Sequence, residues 1–142
     1  MFSWTGLVIL LSLIWEIAHV PLYTISRDPE FARIAVAVLH CTAGDGLIAL
    51  ASYVIAGAVL RDANWTLSRP GAGAAIAALL AVTFTIYSEW RNVYEIGAWA
   101  YLPDTPLVFG IGLTPLLQWV VISPAATFLL RAMRSGRART NP

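Results

Sequence analysis

Residues 2–23 read FSWTGLVILLSLIWEIAHVPLY, and this stretch decides the fold class. The hydrocarbon core of a bilayer is about 30 Å thick, so an α-helix needs about 20 mostly apolar residues to cross it. The stretch is long enough, and its only carboxylate and imidazole, Glu16 and His19, lie near its far end. The same pattern returns within 32–60, within 72–101 and over 107–130. Turn chemistry separates the four: Ser26-Arg27-Asp28-Pro29, then Arg61 to Pro70, then Pro103-Asp104-Thr105-Pro106. The sequence therefore predicts an all-α, integral membrane four-helix bundle. It would be a single transmembrane domain over 1–142, with a basic tail over 131–142.

Composition points the same way. The chain is 58% hydrophobic and 12% charged, with a mean hydropathy of +0.71. Soluble domains carry roughly 25% charged residues, so the apolar surplus here must face lipid. A net charge of +1 without a basic patch gives nucleic acid nothing to bind. The single cysteine, Cys41, excludes an intrachain disulfide and a CxxC metal or redox motif. Every basic residue is arginine, and alanine is abundant. That usage suggests a GC-rich bacterial genome and hence a bacterial inner membrane. The first stretch lacks a basic n-region and an A-x-A cleavage site, so it reads as a retained helix rather than a signal peptide.

Arginine placement sets the expected orientation. Arg131, Arg134, Arg137 and Arg139 share one side with Arg61 and Arg69, while the opposite side has only Arg27 and Arg33. Both termini are therefore expected in the cytoplasm. The third stretch opens with Gly73, Ala77 and Ala81, a small-residue stripe that lets another helix approach closely, from within the chain or from a second copy.

Polar residues carry the functional signal. At a rise of 1.5 Å per residue from the cytoplasmic end of each span, Glu16 lies roughly 21 Å up, Asp45 roughly 24 Å, Glu89 roughly 28 Å and Gln118 roughly 20 Å. His19, His40 and Asn92 lie a little farther out. Ionisable groups at membrane depth cost a few kcal/mol each and call for a reason. All four helices thus place polar groups toward one side, which suggests a pocket open to the non-cytoplasmic face. In the plainer alternative the long second and third stretches protrude. His40 and residues 89–95 are then interfacial, beside the belt aromatics Trp90, Tyr94, Trp99 and Tyr101.

Several constellations follow. Glu16 and His19 share a helix face at the Glu-x-x-His spacing that presents metal ligands in helical bundles, and His40 would extend such a metal site. His19 and His40 on separate helices also fit a haem, though their depths differ by about 5 Å. Asp45 between Gly44 and Gly46 marks a bend or a close backbone approach, and pairing with Thr42, His19 or Gln118 is its structural alternative. Glu89, Asn92 and Glu95 repeat at a spacing of three, with Arg91 placed to pair with Glu95. Gly110, Gly112 and Pro115 loosen the start of the fourth stretch, and Pro115 and Pro124 each free a backbone carbonyl. The plan of four helices with buried acids is similar in outline to the membrane sterol-isomerase and sigma-2 receptor superfamily. The spacings of that family's functional residues are not reproduced here, so no residue role follows from it.

The expected function is a pocket protein that binds a small amphiphile or a metal ion, with a capacity for acid–base chemistry. Asp45 and Glu89 are the catalytic candidates, and Glu16, His19, His40, Asn92 and Gln118 the binding ones. Membrane lipid is the expected surrounding partner, with a homo-oligomer or a larger membrane complex as further partners. A non-catalytic accessory subunit and a dimeric transporter are the rival readings.

Overall fold

The computed structural model describes the backbone of residues 2–140 and the side chains of residues 4–135. The side chains of Arg137 and Arg139 and residues 141–142, all in the basic tail, lie outside the described residues. Four long helices dominate: α1 (Phe2–His19), α2 (Phe31–Leu60), α4 (Pro70–Trp90) and α5 (Leu113–Thr140), with a short α3 (Trp65–Ser68) between α2 and α4. Each of α1 and α4 packs against both α2 and α5, so the four form a square. Segments Trp4–Leu22, Phe31–Leu60, Pro70–Ile96 and Leu113–Ser135 are long and apolar enough to cross a membrane. Leu10, Ile14, Leu47, Leu79 and Phe128 project from the outer faces. An apolar exterior on helices that satisfy their own backbone is what lipid requires.

Local chemistry explains the helix ends. Pro21 disfavours helical geometry at the residue before it, and the chain leaves α1 through two 3-10 turns, Val20–Leu22 and Thr24–Arg27. Pro70 opens α4, where its missing N–H is no loss. The third helix does not continue to Tyr101 as the hydropathy suggests. It widens into a π turn, Arg91–Ile96, and stops at Gly97 with φ +66°. The N–H of Ala98 closes it on the carbonyl of Asn92 at 2.8 Å. Glycine has no Cβ to oppose this left-handed geometry.

The fourth helix likewise begins at Leu113, not Leu107. Residues 107–112 form a hairpin instead, β1 (Leu107–Val108) antiparallel to β2 (Ile111–Gly112). Its two turn residues, Phe109 and Gly110, both have positive φ, as a tight primed hairpin turn demands. Pro115 therefore sits in the first turn of α5 and frees no carbonyl, because the first N–H groups of a helix have no intrahelical partner anyway. Pro124 lies inside the helix. Through Gly44-Asp45-Gly46 α2 stays helical, unbroken from Phe31 to Leu60. Gly46 admits α1, since a Cβ there would lie 3.1 Å from Ile9 Cγ1.

One end of the bundle is tightly closed. Trp4, Tyr53 and Trp65 meet there, all buried. The indole of Trp65 lies over Gly73, where any Cβ would collide with the ring. Gly73, Ala77 and Ala81 are all buried, so the small-residue stripe is occupied from within the chain.

Candidate functional site

Beside this closed end the helices line a partly open cavity of about 1070 Å³ that runs along α2 from Ala32 to Ile55. All seven residues singled out from the sequence line it: Glu16, His19, His40, Asp45, Glu89, Asn92 and Gln118. They come from all four long helices and the π turn. The structure brings them to a common cavity, but not all to a common contact.

Glu16 and His19 form a pair one helical turn apart, His19 Nε2 lying 3.2 Å from Glu16 Oε2. Both are buried. His19 Nδ1 is buried without a protein partner, and so is the indole N–H of Trp99 on the same cavity wall. Such orphaned polar atoms are rare in native structures. Asp45 is held from α5: the Gln118 side-chain amide donates to Asp45 Oδ2 at 2.6 Å and also reaches Ser12 Oγ at 3.3 Å. Gln118, only 1% exposed, thus ties α1, α2 and α5 together at one level. Of the pairings open to Asp45 from the sequence, the one with Gln118 forms.

Glu89 near the end of α4 accepts two phenolic hydrogen bonds on one oxygen. Tyr101 donates to Oε2 at 2.6 Å and Tyr23 at 3.2 Å. The Tyr101 oxygen in turn accepts the Gly112 N–H at 3.0 Å. The Tyr23 ring packs between His19 and Tyr101, with centroid spacings of 5.3 and 5.4 Å. Both phenols lie outside the spanning segments, and burial raises their pKa above the ordinary phenol range, with Glu89 adding to the shift. Both therefore stay protonated donors. Backbone bonds seat this group: Thr24 N–H to the Ala100 carbonyl and Leu102 N–H to the Leu22 carbonyl, each 2.9 Å. The Thr105 hydroxyl adds a bond to the Leu22 carbonyl at 2.6 Å.

The remaining residues are more peripheral. Asn92 donates to the Ser88 carbonyl at 2.8 Å and is half-buried. His40 lines the cavity yet is exposed. Arg91 and Glu95 pair loosely at 4.0 Å, about half exposed, and neither lines the cavity.

Among the described residues no three His, Cys, Asp or Glu side chains converge as a metal site. His40 lies on the exposed face of α2, apart from the Glu16–His19 pair, and Glu16 already occupies His19 Nε2. Sequence reading missed Tyr23, Tyr101 and Ser12. Tyr101 reads as a belt aromatic, and nothing local in the sequence reveals that its hydroxyl reaches Glu89.

No family model, curated protein or solved structure matches this chain. The functional argument therefore rests on the site itself.

Proposed function

We propose that this chain is a multi-pass protein of a bacterial inner membrane that holds a small amphiphile in its intramembrane cavity. Both termini lie in the cytoplasm, on the arginine-rich side, and the cavity lies toward the opposite face. Glu16, Asp45, Glu89 and Gln118 receive the polar part of the ligand, and the apolar walls receive the rest. Asp45 and Glu89 are the groups suited to exchange a proton with it, being carboxyls within a largely apolar enclosure. One observation carries this reading: acids and an amide from every long helix line a single cavity whose other walls are apolar. Pockets of this kind, apolar with a few convergent polar groups, are what small ligands occupy. An amphiphile is favoured over a metal ion because no ligand triad forms among the described residues. The rival accessory-subunit reading drew on the stripe of Gly73, Ala77 and Ala81, which is covered by the chain itself.

The test is extraction of the protein purified in mild detergent, followed by mass spectrometry of what it releases. The expected result is one bound amphiphile, reduced at least about tenfold, or about 1.4 kcal/mol, in Asp45→Ala. Membrane insertion of that variant should be unchanged. Equal recovery from Asp45→Ala and the parent protein would sink the assignment of Asp45.

A further inference from the structure

The cavity is bounded partly by side chains that also face outward. Val36, Leu47 and Ile55 of α2 and Phe84 of α4 line it, and they are 66%, 71%, 45% and 49% exposed. Buried cavity walls do not show such exposure, so the enclosure is breached along the seam between α2 and α4. Val36 to Ile55 spans roughly 28 Å at the helical rise, close to the roughly 30 Å of a hydrocarbon core. Along that length the seam faces lipid, and lipid is the only solvent available to fill it. Glu16, Asp45 and Glu89 line the same cavity, Asp45 standing midway between Val36 and Ile55 on α2. Arg33 is the one arginine on the described wall, and Asp28 and Glu30 hold it at 3.5 and 3.1 Å.

We propose that the ligand is a single-chain lipid that reaches the cavity sideways from the bilayer, its chain lying in the seam between α2 and α4 and a hydrogen-bond-donating head meeting the three carboxyls. This rests on the amphiphile reading above and adds the route and the head chemistry. An anionic head is disfavoured, because it would stand against carboxyl groups with no free cation nearby. An ammonium or a hydroxyl head supplies donors to acceptor oxygens. A ligand without a chain neither partitions into the bilayer onto which the seam opens nor fills the seam itself.

A native reporter sits in the wall. Cys41 is half-buried, lines the cavity and is the sole cysteine in the sequence. The unmodified protein in phosphatidylcholine vesicles is alkylated with N-ethylmaleimide, which permeates membranes, with Cys41→Ser as the blank. Four probes are compared: dodecylamine, dodecanol, dodecanoate and butylamine. Dodecylamine or dodecanol, or both, should slow labelling about tenfold at about ten times the dissociation constant. Dodecanoate and butylamine should leave the rate unchanged. Butylamine protecting as well as dodecylamine would overturn the bilayer route while leaving the polar cavity intact. Dodecanoate protecting as well as the other chains would overturn the head chemistry alone. Protection by none of the four, where Cys41 is labelled in their absence, would remove both this proposal and the amphiphile reading beneath it.

Discussion

At one end of the bundle Trp4, Tyr53 and Trp65 close on one another with ring centroids 5.1 to 5.5 Å apart. At the other, His19, Tyr23 and Tyr101 stack at nearly the same spacings, 5.3 and 5.4 Å. The rings pack alike, but their polar tips are used differently. Trp65 donates to the Tyr53 carbonyl at 3.1 Å, Tyr53 to the Ala63 carbonyl at 2.7 Å, and Trp4 to the Thr127 hydroxyl at 2.9 Å. Those acceptors cannot change charge. Tyr23 and Tyr101 instead donate to Glu89, a carboxyl that can, on the wall of a cavity. The difference separates aromatic packing that only fastens helices from aromatic packing that also holds a carboxyl on a cavity wall.

The sharpest way to break this contrast is to damage each end separately. Trp65→Ala empties the closed end, and a buried aromatic lost from a core costs about 3 to 5 kcal/mol. Its unfolding temperature in detergent should fall farthest of the variants described here, while protection of Cys41 by a bound probe persists in the protein that remains folded. Equal loss of probe binding would mean the two ends are not independent.

Tyr101→Phe should be milder, about 1 kcal/mol for each of the two hydrogen bonds lost, to Glu89 and from the Gly112 N–H. Its effect should be local, seen as faster amide hydrogen exchange over residues 98–112 and little change near Trp65. Titration sharpens the point. Burial raises the pKa of the Tyr101 phenol in the folded state, with Glu89 adding to it. Its stabilising contribution is thus complete below the unfolded value of about 10 and is lost as pH rises through the higher folded value. Alkaline loosening of residues 98–112, absent from the Phe variant, is the expected signature.

Asp62→Asn should matter least. Asp62 accepts from the Ser68 hydroxyl and, at 2.8 Å, from the Asn64 N–H on the exposed turn after α2. The Ser68 and Asn64 bonds lower its pKa. Its contribution is present above the ordinary carboxylate value of about 3.9 and is lost as pH falls through the lower folded one. A small drop in unfolding temperature, confined to the parent protein below about pH 4, is the measurement.

The four apolar stretches were readable because they depend only on counting along a helix. Helix ends beyond Glu95 were not. The apolar residues from Ile96 to Tyr101 continue the hydropathy, yet Gly97 at positive φ turns the chain, and backbone pairing across the fold holds it there. Leu107 and Val108 failed for a similar reason: an apolar dipeptide serves a hairpin as well as a helix. Of the two readings open at Gly44 and Gly46, a bend or a close approach, Gly46 shows the close approach, to Ile9 of α1. The partnership of Asp45 with Gln118 lay among the open choices, whereas the clamp of two tyrosines on Glu89 depends on contacts 66 residues apart for Tyr23, which no local pattern encodes.

The backbone bonds joining residues 22–24 to 100–102 also bear on biogenesis. Thr24 and Ala100 are separated by 76 positions, and the two helices that intervene must both be threaded into lipid before these strands can meet. Closure over Glu89 is therefore a late event in assembly, coming after every wall but that of α5 has been laid down. A nascent chain halted near Gly97 would hold its carboxyls in an unroofed cleft, open to the translocation machinery and to quality-control proteases.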